Sequence, residues 1–127
     1  MLEPGLEATV EESVTEEMTA ERLGSGDVPV LGTPAVLLLV EAAAVAAVSG
    51  ELETGQTTVG ASVELDHVAP TLVGATVTAT AGLIQVDGRR LRFSFEVTDP
   101  AGPIARGTHT RVVVERDSFL QKARSRA

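Results

Sequence analysis

Glu41 is the one charge inside an otherwise unbroken apolar run, Pro34-Ala-Val-Leu-Leu-Leu-Val-Glu-Ala-Ala-Ala-Val-Ala-Ala-Val48. An ionised carboxylate costs several kcal/mol to bury unpaired, so a chain that places one there has a partner for it or a use for it. A carboxylate so placed can take a proton as a general base or attack a carbonyl as a nucleophile. The other reading is a structural acid held by a backbone amide or a second subunit. His67 is the second chemistry-bearing residue: it continues the apolar phase of an alternating segment and therefore faces the core side. The two protonation states of an imidazole are close in energy near neutral pH, which suits it to holding or passing a proton. Thr33 supplies a hydroxyl immediately ahead of the apolar run. With two histidines, His67 and His109, and no acid pair at ligand spacing, no metal site is expected. The chain has no cysteine, which removes disulfides, thiolate ligands and a Cys nucleophile together. There is no glycine-rich phosphate loop, and no cofactor is expected.

The Ala and Leu content of the run around Glu41 favours helix, with Thr33 predicted as the N-cap and Pro34 as the first helical residue. The run is too short for the roughly 20 apolar residues of a bilayer span. A helix apolar on every side is normally surrounded by protein. Past it the pattern becomes strict alternation. Val59, Ala61, Val63, Leu65 and His67 form the predicted inward set of a strand over residues 57–67. A second strand, 76–86, places Val77, Ala79, Ala81 and Leu83 inward and then shifts phase to Ile84 and Val86, implying a bulge near Gly82. Asp87-Gly88 marks a hairpin. Residues 90–98 follow with Leu91, Phe93, Phe95 and Val97 inward, and Asp99–Gly102 is a turn. Residues 104–115 form a last strand whose faces are ambiguous, because both phases contain polar residues. Residues 6–14 read as one further strand, residues 15–30 as a loop or short helical turn, and the basic tail 121–127 as frayed. The sum is a single α+β domain over residues 1–127: one buried helix against one curved antiparallel sheet.

Apolar residues make up 43 % of the 127, enough for a core, while aromatics are only 2 %, which leaves a base-stacking nucleic-acid binder little to stack with. The net charge of −8 conceals a gradient, since residues 1–66 carry 13 acids against one base and residues 67–127 carry 5 acids against 9 bases. The basic half offers a local landing place for a phosphorylated ligand, with Arg89, Arg90 and Arg92 clustered at the hairpin, but no extended basic face for DNA. The N-terminal residues lack the basic and apolar regions of a secretory signal, so a cytoplasmic protein is expected, with no membrane partner.

Strand, buried helix and four antiparallel strands is the element order of the hot-dog fold, and the chain resembles the fluoroacetyl-CoA-specific thioesterase and its relatives. Four segments carry the resemblance. They are Val30-Leu-Gly-Thr-Pro-Ala-Val36 leading to Glu41-Ala; Val59-Gly-Ala-Ser-Val-Glu-Leu-Asp-His-Val-Ala-Pro70; Val86-Asp-Gly-Arg-Arg-Leu91; and Gly107-Thr-His-Thr-Arg-Val112. That family uses Thr, Glu and His as its catalytic set, with a glycine on the strand before the His. Thr33, Glu41, His67 and Gly60 stand in those places. In one respect the chain departs from the pattern: the family's bulky aromatics ahead of the threonine, which help close the acyl pocket, are absent from Leu23-Gly-Ser-Gly-Asp-Val28. The resemblance therefore implies a general acyl-CoA thioesterase rather than one restricted to a fluorinated acyl group.

What it implies mechanistically is hydrolysis of an acyl thioester to free acid and CoA. Glu41 would be nucleophile or general base, His67 would hold or protonate the reacting groups, and Thr33 would orient Glu41 or the thioester. Backbone N–H groups at the helix N-terminus or at Gly60 would serve the oxyanion. Gly60 would admit close approach of substrate, its other reading being a bulge or packing glycine, and Arg111, two residues from His109 on one strand face, would support the site or pair with an acid. A homodimer, capable of pairing further into a tetramer, is expected from the resemblance and from a helix that one sheet cannot fully cover. A non-enzymatic acyl-CoA binder or sensor, or a hydratase, would use the same fold, so fold alone does not choose among them.

Overall fold

The computed structural model describes residues 1–127. Strand β1 (Glu7–Ser13) leads through a 3-10 turn and the short helix α1 (Ala20–Leu23) into α2 (Thr33–Val48). Strands β2 (Gln56–His67), β3 (Thr76–Asp87), β4 (Arg90–Asp99) and β5 (Gly102–Glu115) follow, and α3 (Arg116–Ser125) closes the chain. All five strands join one antiparallel sheet in the order β1-β3-β4-β5-β2, so β2 is an edge. Helix α2 lies against one face. Its Val36, Val40, Ala43, Ala44 and Val48 share a core with Val77, Ala79, Ala81 and Leu83 of β3 and with Leu91, Phe93, Phe95 and Val97 of β4. The alanines on the buried side of α2 let its backbone sit close to the sheet, and the alternating strands supply the matching apolar face. This is the hot-dog arrangement.

Several elements differ from their sequence expectations, each for a physical reason. Thr33 is not the N-cap; Gly32 takes that place in extended backbone, with no side-chain cap, and Thr33 is the first helical residue. Helix α2 is also not enclosed: Leu38 is 67 % and Val45 43 % exposed. With the 3-10 turn that follows, the helical run Thr33–Glu51 reaches 19 residues of mean hydropathy 1.8, so on length and composition alone it is long enough to cross a bilayer. Here, however, one side of it packs on the sheet.

The bulge in β3 falls at Ile84, not Gly82, and turns Ile84 outward to 48 % exposure while Val86 returns to the core edge. A second bulge, at the strand glycine Gly60, skips Ala61 in β2: Gly60 pairs with Arg111 and Ser62 with Thr110. Before the bulge the inward positions are therefore Thr58 and Gly60 rather than Val59 and Ala61, whereas after it Val63, Leu65 and His67 face inward as expected. The tail is helical rather than frayed, and every residue of α3 is exposed.

Candidate active site

Two clusters of polar side chains form along α2. The first sits at its N-terminus, where the Thr33 Oγ1 lies 2.8 Å from Nδ1 of His67. Because Gly32 caps the helix, the Thr33 hydroxyl is free of capping duty and turns to the end of β2 instead. The other ring nitrogen of His67, Nε2, is buried and has no hydrogen-bond partner within the chain. Buried polar atoms are nearly always paired, so an imidazole held on one side and unpaired on the other is poised to meet a further group.

The second cluster surrounds Glu41. Eight residues beyond Thr33, Glu41 stands about 12 Å further along the helix axis. Its partner is Arg111, whose Nη1 donates to Oε2 at 2.9 Å; no hydrogen bond joins Glu41 to His67. Arg111 is 5 % exposed and is fixed from several sides. Its Nε donates to Thr58 Oγ1 at 2.9 Å, its Nη2 to the Thr58 carbonyl at 3.1 Å, and Nη1 also lies 3.2 Å from His109 Nε2. A guanidinium so held cannot swing away from the carboxylate and fixes the direction in which Glu41 points. Oε1 of Glu41 has no hydrogen bond within the chain.

The β2 bulge builds this pocket. It turns Gly60 toward the helix, where a Cβ would stand 2.5 Å from Glu41 Oε2 and 3.4 Å from Arg111 Nη1. Glycine here makes room for the ion pair. Beside it lies a cleft of about 240 Å³ lined by Leu37, Glu41, Gly60, Ala61, Ser62, Val63 and His109. Gly60→Ala should therefore displace the carboxylate rather than unfold the chain, because the atom in the way ends a flexible side chain. We expect kcat to fall roughly 10–100-fold with the melting temperature nearly unchanged; steady-state kinetics with a thermal melt would measure both. Activity equal to wild type would mean that the site tolerates a shifted Glu41.

His109 completes the cluster. It is 3 % exposed, with Nδ1 2.8 Å from the Ser62 carbonyl and its ring 6.3 Å, centre to centre, from Phe93. Burial lowers its pKa below the usual 6.5; the bond to Ser62 and the charge of Glu41 oppose that shift, and the charge of Arg111 adds to it. Below about pH 6.5 the unfolded chain thus binds a proton that the folded chain excludes, and this group erodes stability as the pH falls.

The sequence-predicted residues Thr33 and His67 are thus brought together, as are Glu41, Gly60 and Arg111, but the two sets stay apart within one chain. Thr58 and Ser62 were missed: Thr58 reads as outward in an alternation that the bulge at Gly60 interrupts, and Ser62 contributes its backbone carbonyl, which no residue type announces. Arg89, Arg90 and Arg92 join neither cluster, since Arg90 and Arg92 lie with Gln85, Asp87 and Thr110 in a separate surface depression and Arg89 lies beside α3.

Known proteins share this plan. Residues 14–117 match the fluoroacetyl-CoA-specific thioesterase family. The fluoroacetyl-CoA thioesterase of Streptantibioticus cattleyicolor is 37 % identical over 97 residues, 76 % of this chain and 70 % of that protein. A crystal structure of the fluoroacetyl-CoA thioesterase superposes with a TM-score of 0.93 at 31 % identity, covering 100 % of this chain and 98 % of that one. A thioesterase superfamily member from Thermus thermophilus gives 0.89 at 27 % identity, with 99 % and 96 % covered. The chain belongs to the fluoroacetyl-CoA-specific thioesterase family and is a thioester hydrolase of hot-dog fold.

Proposed function

We propose that the protein hydrolyses acyl-CoA as a homodimer, in a site that joins the Glu41 cluster of one subunit to the Thr33–His67 pair of the other. The observation that carries this reading is the separation of the two clusters along α2, each finished on one side and open on the other. The edge strand supports it. β2 runs for 12 residues at the border of the sheet, and its stretch Gly60–Glu64 is exposed beside the bare Leu38 and Val45 of α2. A free edge of that length is a template for another strand. Antiparallel pairing of two β2 strands about a two-fold axis brings the Gly60 half of one alongside the His67 half of the other and covers the exposed side of both helices. A complex of the family's enzyme with fluoroacetate and CoA, 31 % identical, supports CoA as the carrier.

In this site Glu41, held in place by Arg111, attacks the thioester carbonyl or takes a proton from the attacking water. The backbone N–H of the partner's Thr33, the one N–H of the first α2 turn left without a bond within its own chain, stabilises the oxyanion. The carbon–sulfur bond breaks, Nε2 of the partner's His67 delivers a proton to the departing thiolate, and the net reaction consumes one water to give acid and free thiol. The absence of aromatics in residues 23–28 favours aliphatic acyl groups without selection for fluorine.

Complementation tests the shared site. Glu41→Gln and His67→Asn should each be inactive as homodimers against a panel of short, medium and long acyl-CoAs, read by thiol release. Mixed after unfolding and refolding together, they should recover about a quarter of wild-type activity, because half the dimers are mixed and each has one intact site of two. Recovery would not occur if both residues served one site from the same subunit. No turnover of any acyl-CoA by wild type would move the reading to a binder.

A further inference from the structure

We propose that His109 is the positioning residue of this site: as the neutral Nδ1–H tautomer it ties Arg111, and through it Glu41, to the β2 bulge. The assignment rests on its two neighbours. The Ser62 carbonyl can only accept, so the Nδ1 at 2.8 Å must carry the proton. A guanidinium can only donate, so the Nε2 at 3.2 Å from Arg111 Nη1 must offer its lone pair. Each nitrogen has one possible role, and together they admit one tautomer of one charge state. An imidazolium would turn a proton toward Arg111 and break the second bond.

The neighbours on every side agree. Toward α2 the nearest charge is Glu41, already engaged by Arg111; β2 presents the Ser62 carbonyl, β4 the Phe93 ring, and β5 itself Arg111. No carboxylate hydrogen-bonds the ring of His109, and burial further disfavours its charged form.

The arrangement explains why a histidine stands at this place. The bulge at Ala61 points Gly60 at Glu41, and the backbone there must stay fixed relative to Arg111 for the carboxylate to keep its aim. His109 spans that gap, with one nitrogen on the carbonyl just past the bulge and the other on the guanidinium. Its ring is wedged against Phe93 at the wall of the cleft, 3 % exposed and with both nitrogens engaged, so it acts through Arg111. The kinetic consequence, though not the tautomer, rests on Glu41 being the working carboxylate.

Two readouts separate these layers. Two-bond nitrogen–proton NMR on the wild-type protein at pH 7 should show His109 neutral with the proton on Nδ1; an Nε2–H tautomer or an imidazolium would overturn the proposal, whatever Glu41 does. For kinetics, His109→Gln keeps an oxygen that can accept from Arg111, while His109→Phe fills the space with no acceptor. The Phe variant should lose roughly 10–100-fold in kcat, and the Gln variant should stay within about threefold of wild type. Equal loss in both, or wild-type activity in His109→Phe, would show that the bond to Arg111 is not what His109 supplies. In a Glu41→Gln background His109→Phe should cost nothing further, and an undiminished loss there would assign His109 to something other than Glu41. If Glu41→Gln is itself fully active, the role of Glu41 fails and the NMR result still decides the tautomer.

Discussion

Glu41→Gln should lower acyl-CoA turnover by roughly 10²–10⁴-fold while the protein stays folded. The substitution keeps the shape of the side chain and leaves a carbonyl oxygen to accept from Arg111, so it removes the charge and little else. Its side chain is 37 % exposed, and Arg111 keeps both bonds to Thr58. The stability change should therefore be small, and circular dichroism melts beside thiol-release kinetics would separate the two effects. The loss should fall on kcat more than KM, because a proton taken or a bond formed by the carboxylate exists in the transition state and not in the bound substrate. Activity within threefold of wild type would sink the assignment. A single turnover in ¹⁸O-water, with enzyme in excess, then tests the covalent route. Heavy oxygen in the peptide carrying Glu41 means that water opened an acyl anhydride at the side-chain carbonyl, whereas label confined to the product acid means that water attacked the acyl carbon.

Glu41 was legible in the sequence because a single charge in an apolar run conflicts with its surroundings, and His67 because it kept phase with Val63 and Leu65. The sheet was legible for a similar reason: β4 alternates without interruption, so Leu91, Phe93, Phe95 and Val97 declare their face. The failures cluster where the site breaks that rule. Thr58 looked outward and Val59 inward until the bulge at Ala61 reversed them; Gly60 is its one sequence mark, and a strand glycine serves close approach as readily as a bulge. β5 was ambiguous because its inward phase carries His109 and Arg111, whose partners lie on β2 and α2, distant in sequence. The helical tail was missed for a different reason. It has no apolar stripe, yet Gln, Lys, Ala and Arg are good helix formers, and propensity decides where packing does not.

Gly107→Ala should cost about 3 kcal/mol of stability, roughly 10 °C in melting temperature, and remove activity with it. Gly107 pairs with Leu65 of β2 and Phe95 of β4, and its backbone needs no positive φ, so the reason for glycine is space. A Cβ there would collide with the Glu64 carbonyl oxygen and come within 2.8 Å of Phe95 Cζ and 2.9 Å of the Glu64 carbonyl carbon. Two of those three atoms are backbone of a paired strand and cannot rotate out of the way, unlike the carboxylate facing Gly60. Relief requires β2 to lift off β5. That movement disturbs the segment ending at His67, three residues beyond Glu64, and with it the bond to Thr33 and the edge on which the proposed dimer pairs. Gly82→Ala is the control, because it also sits mid-strand but a Cβ there meets only Glu7 Oε2, at an ordinary 3.7 Å. Urea unfolding of the two variants at matched protein concentration makes the comparison, with the shift of midpoint at constant slope read as stability. If Gly107→Ala fell within about 1 kcal/mol of the Gly82 variant, β2 would have slack to move without cost. The close approach of the two strands would then not be what holds His67 against Thr33.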